Sequence, residues 1–324
     1  MESIRPSSLN DFIGQERVRG ILKILCRSAK AKKTAVSYVL LSGPPGLGKT
    51  TLARIIAAEM GSRLVETIGG NLQTPEQLVG LLRSLKPMDI LFIDEIHAMP
   101  RAVEEILYPA MEDNLVSVVK NDASDFMKAL GVQAKPDAEM VTLPSFTLLG
   151  ASTMSGLVSA PLRSRFAHEL TLEPYGLDDL TRIVLRASRA MGIELELGVA
   201  MEVAKRSRST ARIAIGHLQW ILEYASGMDV NPSMDAVIDA FAMRDVDACG
   251  LTGQDRRYLT MLLNADQPLG LSSVAAALNE TIETIEQAME PHLIREGLIR
   301  RSPRGRLATE KAREMFVTPQ EIAS

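Results

Sequence analysis

The stretch GPPGLGKTT, Gly43–Thr51, constrains the fold of this chain more than any other. It fits the pattern G-x-x-x-x-G-K-[ST] and lies between an apolar run, SYVLLSG (37–43), and a helical pattern, KTTLARIIAAEMG (49–61). Glycines let successive backbone N–H groups close around phosphate oxygens, and the positive end of the following helix favours negative charge there. Gly43, Gly46 and Gly48 are expected to line this cradle with Thr51, while Lys49 reaches the β- and γ-phosphates and Thr50 ligates Mg²⁺. The ligand this implies is a nucleoside triphosphate with its magnesium ion.

Such a loop needs a parallel sheet behind it, and the surrounding pattern supplies one. RLVET (63–67), DILFIDE (89–95) and SFTLLGAST (145–153) read as further short strands. The helical patterns TPEQLVGLLRSL and RAVEEILYPAME lie between them. Strands alternating with helices predict an α/β domain with helices on both faces of a parallel sheet. Asp94 ends one strand, where it can hold the Mg²⁺ shell. Glu95 follows it, placed to polarise a water for attack on the γ-phosphate. His97 either couples nucleotide state to the next helix or caps that helix; the sequence leaves both open.

Past residue 177 or so the strands stop. LDDLTRIVLRASRAMG, LGVAMEVAKRSR and TARIAIGHLQWILEYA carry apolar residues at spacings of three and four, the mark of amphipathic helices. A third segment offers TGQDRRYLTMLLN, GLSSVAAALN and ETIETIEQAMEPHLIREG as helices, then LIRRSPRGRLAT. In the latter SPRG suits a type I turn, with Pro303 second and Gly305 fourth. Three helices and a β-hairpin describe a winged helix. The expected organisation is a large α/β domain over 1–175, a helical lid over 176–246 and a winged-helix domain over 247–324. An insertion at about 114–144 has ends that could be strands and a short helical pattern, DASDFMKALG, inside it.

The chain is mildly acidic, with a net charge of −4, yet Arg300, Arg301, Arg304 and Arg306 cluster at the hairpin. If SPRG is the turn, Arg301 and Arg306 face each other across the strands. Like charges placed opposite destabilise a strand pair, so an anion is expected to bridge them. A DNA phosphate held by Arg301 and Arg306, with Arg304 at the tip, is the expected occupant. Aromatic residues are only 4% of the chain, which argues against base-stacking on single strands. The two cysteines, Cys26 and Cys249, lack metal-site spacing and fit a reducing compartment. No apolar run approaches the roughly 18 residues of a membrane span, and the N-terminus lacks a signal-peptide profile. A cytoplasmic protein is expected.

RPSSLNDFIGQERV, LLSGPPGLGKTTLARIIAAEMG, ILFIDEIHAMPRAVEEILYPAMED, PLRSRF, RSTARIA and RSPRGRLAT follow one another in order. Together they resemble the RuvB family, AAA+ motors of Holliday-junction branch migration. The resemblance implies an ATP-dependent hexameric DNA translocase. It places Ile4 and Arg5 against the adenine and ribose, and Glu112, Asp113, Asn114 and Tyr175 near the nucleotide. It makes Thr153 the first sensor of the γ-phosphate and Arg212 the second. Arg165 becomes an arginine finger inserted into a neighbouring subunit's site, whereas Arg163 reads as structural.

The chain also departs from the family. Met154 in GASTMSG stands where the family has arginine, and TARIAIGHLQW lacks a proline and several basic residues. The 114–144 segment is longer than the family's RuvA-docking hairpin, so a RuvA-like partner is implied but not its identity. A clamp-loader-like or helicase-loader-like protein remodeller is the alternative reading; it would share the nucleotide site but need no arginine-tipped wing. A non-hydrolysing DNA-binding regulator is opposed by the intact Lys49, Asp94, Glu95 and Arg165.

Overall fold

The computed structural model describes residues 4–119 and 138–316. They fall into two compact units, one holding the chain up to Ile193 together with Thr210–Arg212, the other holding Glu194–Ser209 and the chain from Ile213 onward.

The first unit is built on a five-stranded sheet of β1 (Val39–Ser42), β2 (Leu64–Ile68), β3 (Ile90–Asp94), β6 (Thr147–Ser152) and β7 (His168–Thr171). The spatial order is β2-β3-β6-β1-β7, with every neighbouring pair parallel. β1 and β6 are buried at every position and β3 at all but its last. Helices on both faces bury central strands twice, which is why they read as unbroken apolar runs. The edge strands β2 and β7 are only partly covered. β7, sequence HELT, carries no apolar run, and its pairing of Val39 with His168 is what makes it a strand.

Around the sheet lie α1 (Glu16–Lys32), α2 (Lys49–Met60), α3 (Pro75–Arg83), α4 (Arg101–Glu112), α5 (Ala160–Arg163) and α6 (Leu177–Ala190). The ends of the insertion are strands, as expected: β4 (Leu115–Val119) pairs antiparallel with β5 (Ala138–Thr142). Val116 and Leu143 anchor this hairpin's base in the core beside Leu107 and Phe146. The helical pattern DASDFMKALG lies outside the described residues.

The second unit begins with α7 (Leu197–Lys205), α8 (Ala211–Gly227, of which Ala211 and Arg212 belong to the first unit) and α9 (Met234–Met243). His217 on α8 packs edge-on against Phe241 at 4.9 Å. Burial pushes its imidazole down from 6.5 to about 4; a backbone hydrogen bond at Arg206 opposes this, and the charges of Arg244, Arg208 and Arg206 add to it. Folded, the ring stays neutral at a pH where the unfolded chain would protonate it. Stability present at pH 7 is therefore lost as the pH falls below about 6.5 towards 4, by roughly 3 kcal/mol in full. His217→Leu should flatten the fall in Tm between about pH 7 and 4.5. An equally steep fall in thermal melts of the variant would place the acid lability elsewhere.

The winged helix follows: α10 (Gly253–Leu263), α11 (Leu271–Leu278), a helical turn at Ile282–Thr284, α12 (Glu290–Arg295), β8 (Ile299–Ser302), β9 (Gly305–Ala308) and α13 (Glu310–Phe316). Sequence periodicity suggests one helix over 280–297, but Ile285–Met289 forms a π turn. Pro291 explains the break: it has no N–H to donate, and its ring crowds the carbonyl four residues back. Two further elements were not expected, the terminal α13 and a third wing segment at Leu269, which exchanges backbone hydrogen bonds with Arg306. Tyr258, Leu259, Val274, Ile285, Leu293 and Ile299 form the centre of this core.

Candidate functional site

β6 lies between β1 and β3, so the carboxyl ends of these three strands sit side by side. Ser42 is in register with Ser152, and Ile93 with Gly150. The phosphate loop leaves β1, the acidic pair leaves β3 and Thr153 leaves β6. Ligands of open α/β sheets bind at this edge.

Gly43, Gly46 and Gly48 have φ of 133°, 79° and 108°, values that side-chain-bearing residues rarely adopt. Space is equally limiting at Gly46, where a Cβ would come within 2.6 Å of Thr210 Cγ2 and 2.9 Å of Arg212 Cβ. Phe12 packs on Gly48 in the same way, a contact the sequence did not reveal. The buried Tyr175 donates its hydroxyl to the carbonyl of Leu47 at 2.9 Å, so within this unit it braces the loop.

Lys49 donates to the carbonyls of Gly43 and Pro44 at 2.6 and 3.1 Å. Burial lowers its pKa; the carboxylates of Glu95 and Asp94 pull the other way, and the charge of Arg212 adds to the lowering. Arg212 is thus close enough to Lys49 to be felt, and its backbone N–H donates to Gly46 at 3.3 Å. Thr50 donates its hydroxyl to Asp94 Oδ2 at 3.0 Å, which brings the two expected metal ligands together. Thr51 follows them in the first turn of α2.

Glu95 sits in the left-handed region at φ 46°. Its Oε2 accepts hydrogen bonds from the N–H and hydroxyl of Thr153 at 3.0 and 2.8 Å. His97 Nδ1 lies 2.9 Å from Ser152 Oγ and 3.3 Å from Glu95 Oε2. The histidine therefore faces the acidic residue and the β6 end. Ser152, absent from the expected site residues, is its partner; no sequence spacing signals that contact, because only β-sheet register creates it.

Not every expected residue reaches this edge. Arg165 pairs with Glu112 at 2.9 Å, donates to the Pro161 carbonyl at 2.6 Å and lies 4.3 Å over the Tyr108 ring. Its buried Nε has no hydrogen-bond partner among the described residues. Asp113 and Asn114 lead from α4 into the hairpin, with the Asn114 carbonyl accepting from Leu143 N–H at 2.6 Å. Ile4 accepts from Arg186 at 3.0 Å, and Arg5 is the next residue. Arg163 makes a two-pronged ion pair with Glu169, both bonds at 2.7 Å, as a structural residue would.

At the wing, Arg301 faces Arg306 in the observed register, and Pro303–Arg304 form the loop. The anion between these arginines is Glu290, whose side chain is fully buried. Arg306 donates to Glu290 and Glu286 at 2.7 and 2.9 Å, Arg301 donates to Glu290 at 2.7 Å, and the Tyr258 hydroxyl donates at 2.8 Å. Burial alone would raise the Glu290 carboxyl, but hydrogen bonds from Arg306, Tyr258 and Arg301 hold it below the usual range. Arg306 is also sunk into the domain, its side chain only 13% exposed. Glu290→Gln should destabilise the winged helix by roughly 3–5 kcal/mol, since it leaves arginine charge unmatched at a buried site. Denaturant unfolding of the full chain measures this, and an unchanged winged-helix transition would contradict it. Arg300 and Arg304 are exposed, and their side chains make no hydrogen bond or ion pair among the described residues.

Comparison with known proteins bears directly on this arrangement. Residues 4–172 match the family model of the Holliday junction DNA helicase RuvB P-loop domain. Residues 175–247 match the RuvB AAA lid domain, and 248–317 the RuvB C-terminal winged helix domain. The solved structure of the Thermotoga maritima RuvB Holliday junction branch migration motor is 38% identical; the match covers 98% of this chain and 99% of that one with a TM-score of 0.83. Two point mutants of the Thermotoga maritima protein are also 38% identical, with TM-scores of 0.85. Those matches cover 96% and 98% of this chain, and 98% and 99% of theirs. With a phosphate loop, an acidic strand end and an arginine-bearing wing in one chain matched from end to end, the protein is a P-loop AAA+ ATPase and belongs to the RuvB family of Holliday junction DNA helicases.

Proposed function

We propose that this protein is an ATP- and Mg²⁺-dependent motor that works as a ring of six copies, drawing duplex arms through a Holliday junction. The observation that carries this reading is the convergence of Lys49, Thr50 with Asp94, Glu95 with Thr153, and Arg212 at one sheet edge, in a chain that also bears a winged helix. Lys49 and the loop amides bind the phosphates, and Arg212 adds positive charge beside them. A magnesium ion fits the Thr50–Asp94 pair, which supplies hard oxygen donors; when bound it neutralises phosphate charge. Glu95, held by Thr153, orients and deprotonates the attacking water. Arg165 serves the site of a neighbouring copy.

The domain limits that go with this reading are 1–175, 176–246 and 247–324. Phosphate contact at the wing falls to Arg304 and Arg300, whose charges are unmatched, rather than to Arg306. A RuvA-like junction-binding partner would dock on the β4–β5 hairpin, and the cytoplasm is the proposed location. Among the described residues no helix is long and apolar enough to cross a membrane. The protein-remodelling alternative is less favoured, because a remodeller has no use for a wing with free arginines.

The test is a synthetic four-way junction incubated with the protein, ATP and Mg²⁺. Conversion to duplex products is expected, and Lys49→Ala should abolish it. Arg304→Ala should weaken junction binding alike for all sequences and reduce the salt slope by about one. ATP hydrolysis with no branch migration, with or without a RuvA-type partner, would move the reading to the remodeller. A sequence-selective loss would rule out a backbone contact at Arg304.

A further inference from the structure

Two adjacent residues without glycine's freedom, Arg208 and Ser209, occupy the left-handed region at φ 51° and 55°. Such backbone persists only where its surroundings over-determine it. Here the surroundings come from the winged helix. Arg208 donates Nε to the Gly250 carbonyl at 2.9 Å and forms an ion pair through Nη2 with Asp255. Asp255 is 1% exposed and also closes the start of α10, accepting from the Thr252 N–H and hydroxyl at 2.7 and 2.6 Å. Arg295 donates to the Arg208 carbonyl at 2.7 Å. Gly250, at φ 74°, leaves no room for a Cβ because the Arg206 carbonyl would lie 2.6 Å from it. The segment is thus gripped by side chain, carbonyl and packing together.

Immediately after this grip the chain changes allegiance. Thr210 and Arg212 belong to the ATPase unit, and both press on Gly46 of the phosphate loop. The Arg208 and Thr210 Cα atoms can be no more than about 7 Å apart, the reach of two extended residues. A shift of the grip by more than that slack must therefore pull on Thr210 and Arg212. On the winged-helix side, α12 carries Glu290 at its first position and Arg295 at its last. The same short helix holds the wing arginines at one end and the Arg208 carbonyl at the other.

We propose that Arg208, gripped by Asp255, Gly250 and Arg295, is a positioning residue that transmits strain from the DNA-binding wing through α12 to Arg212 and the phosphate loop. This rests on the proposed role of Arg212 beside the nucleotide. Coupling of two sites is reciprocal, so the relay must also let bound nucleotide alter the grip on DNA. Contiguity alone does not establish a pathway; a coupling measurement does.

The experiment uses the full chain and a fluorescent four-way junction. Its Kd is measured with a slowly hydrolysed ATP analogue and with ADP, alongside basal ATP turnover and Tm. The parent is expected to bind the junction with affinities differing by roughly five-fold or more between the two nucleotides. Arg208→Asn removes the guanidinium while keeping a residue that tolerates left-handed backbone. It should bring the ratio close to one with basal turnover near the parental value and a lowered Tm, since Asp255 loses its buried partner, and Arg208→Lys should restore part of both the ratio and the Tm. Asp255→Asn should lower the ratio as Arg208→Asn does. An unchanged ratio in Arg208→Asn overturns the relay, as does a lowered Tm with junction binding weakened equally in both nucleotides, since that is a fold defect. Arg212→Ala separates the two readings. If it abolishes the ratio while Arg208→Asn does not, the relay alone fails; if it leaves both ratio and turnover intact, the Arg212 role fails with it.

Discussion

Arg165→Ala is expected to lower ATP turnover by roughly 10³–10⁵-fold, the range seen when an arginine finger is removed. ATP binding to the subunit's own loop should be little changed. Every partner of Arg165 lies on α4, on α5 or beside them, and none is a phosphate-loop residue. The side chain is held against Tyr108 and Glu112, and its buried Nε has no hydrogen-bond partner among the described residues. On the proposed reading, this guanidinium serves the phosphates of another copy. Mixing Arg165→Ala subunits with Lys49→Ala subunits should therefore restore part of the activity. In a mixed ring an intact Lys49 site meets an intact Arg165 across some interfaces. Steady-state hydrolysis across mixing ratios measures this, and no recovery at any ratio would count against a shared site.

The second large effect is expected at Glu95. Glu95→Gln should retain ATP and lose turnover by roughly 10²–10⁴-fold, the contribution of a positioned base. Glutamine can still accept from the Thr153 N–H and hydroxyl, which hold Glu95 at 3.0 and 2.8 Å. The geometry therefore survives while the proton acceptor is lost. Single-turnover hydrolysis beside binding of a fluorescent ATP analogue separates the two steps. Parental turnover in the variant would hand the base role to another group, and His97, 3.3 Å from Glu95 Oε2, would be the first to test.

Much of the ATPase unit was legible in the sequence because its features are local. Doubly buried strands must be apolar throughout, so VLLS, ILFI and TLLGAS announce themselves. The phosphate loop announces itself through glycines that no other residue could replace without strain. β7 was illegible for the opposite reason: a short polar edge strand exists only through its neighbour. The π turn before α12 is signalled only by Pro291, and the third wing segment at Leu269 by nothing local.

The wing shows where sequence reasoning stops. Strand register correctly predicted that Arg301 and Arg306 oppose each other and that an anion stands between them. The anion proved to be Glu290, from a helix that ends several residues before the hairpin begins. Periodicity gives no rule for which buried face that carboxylate will occupy, and only packing of α12 against β8 and β9 places it there. By itself, then, the sequence determined the fold class, the phosphate-binding loop and the residue types at the nucleotide edge, because backbone sterics and strand burial act within a few residues. Which wing charges are matched internally, and which stand unmatched among the described residues, was decided only by tertiary structure. Ion pairing depends on distances between side chains that the chain order does not specify.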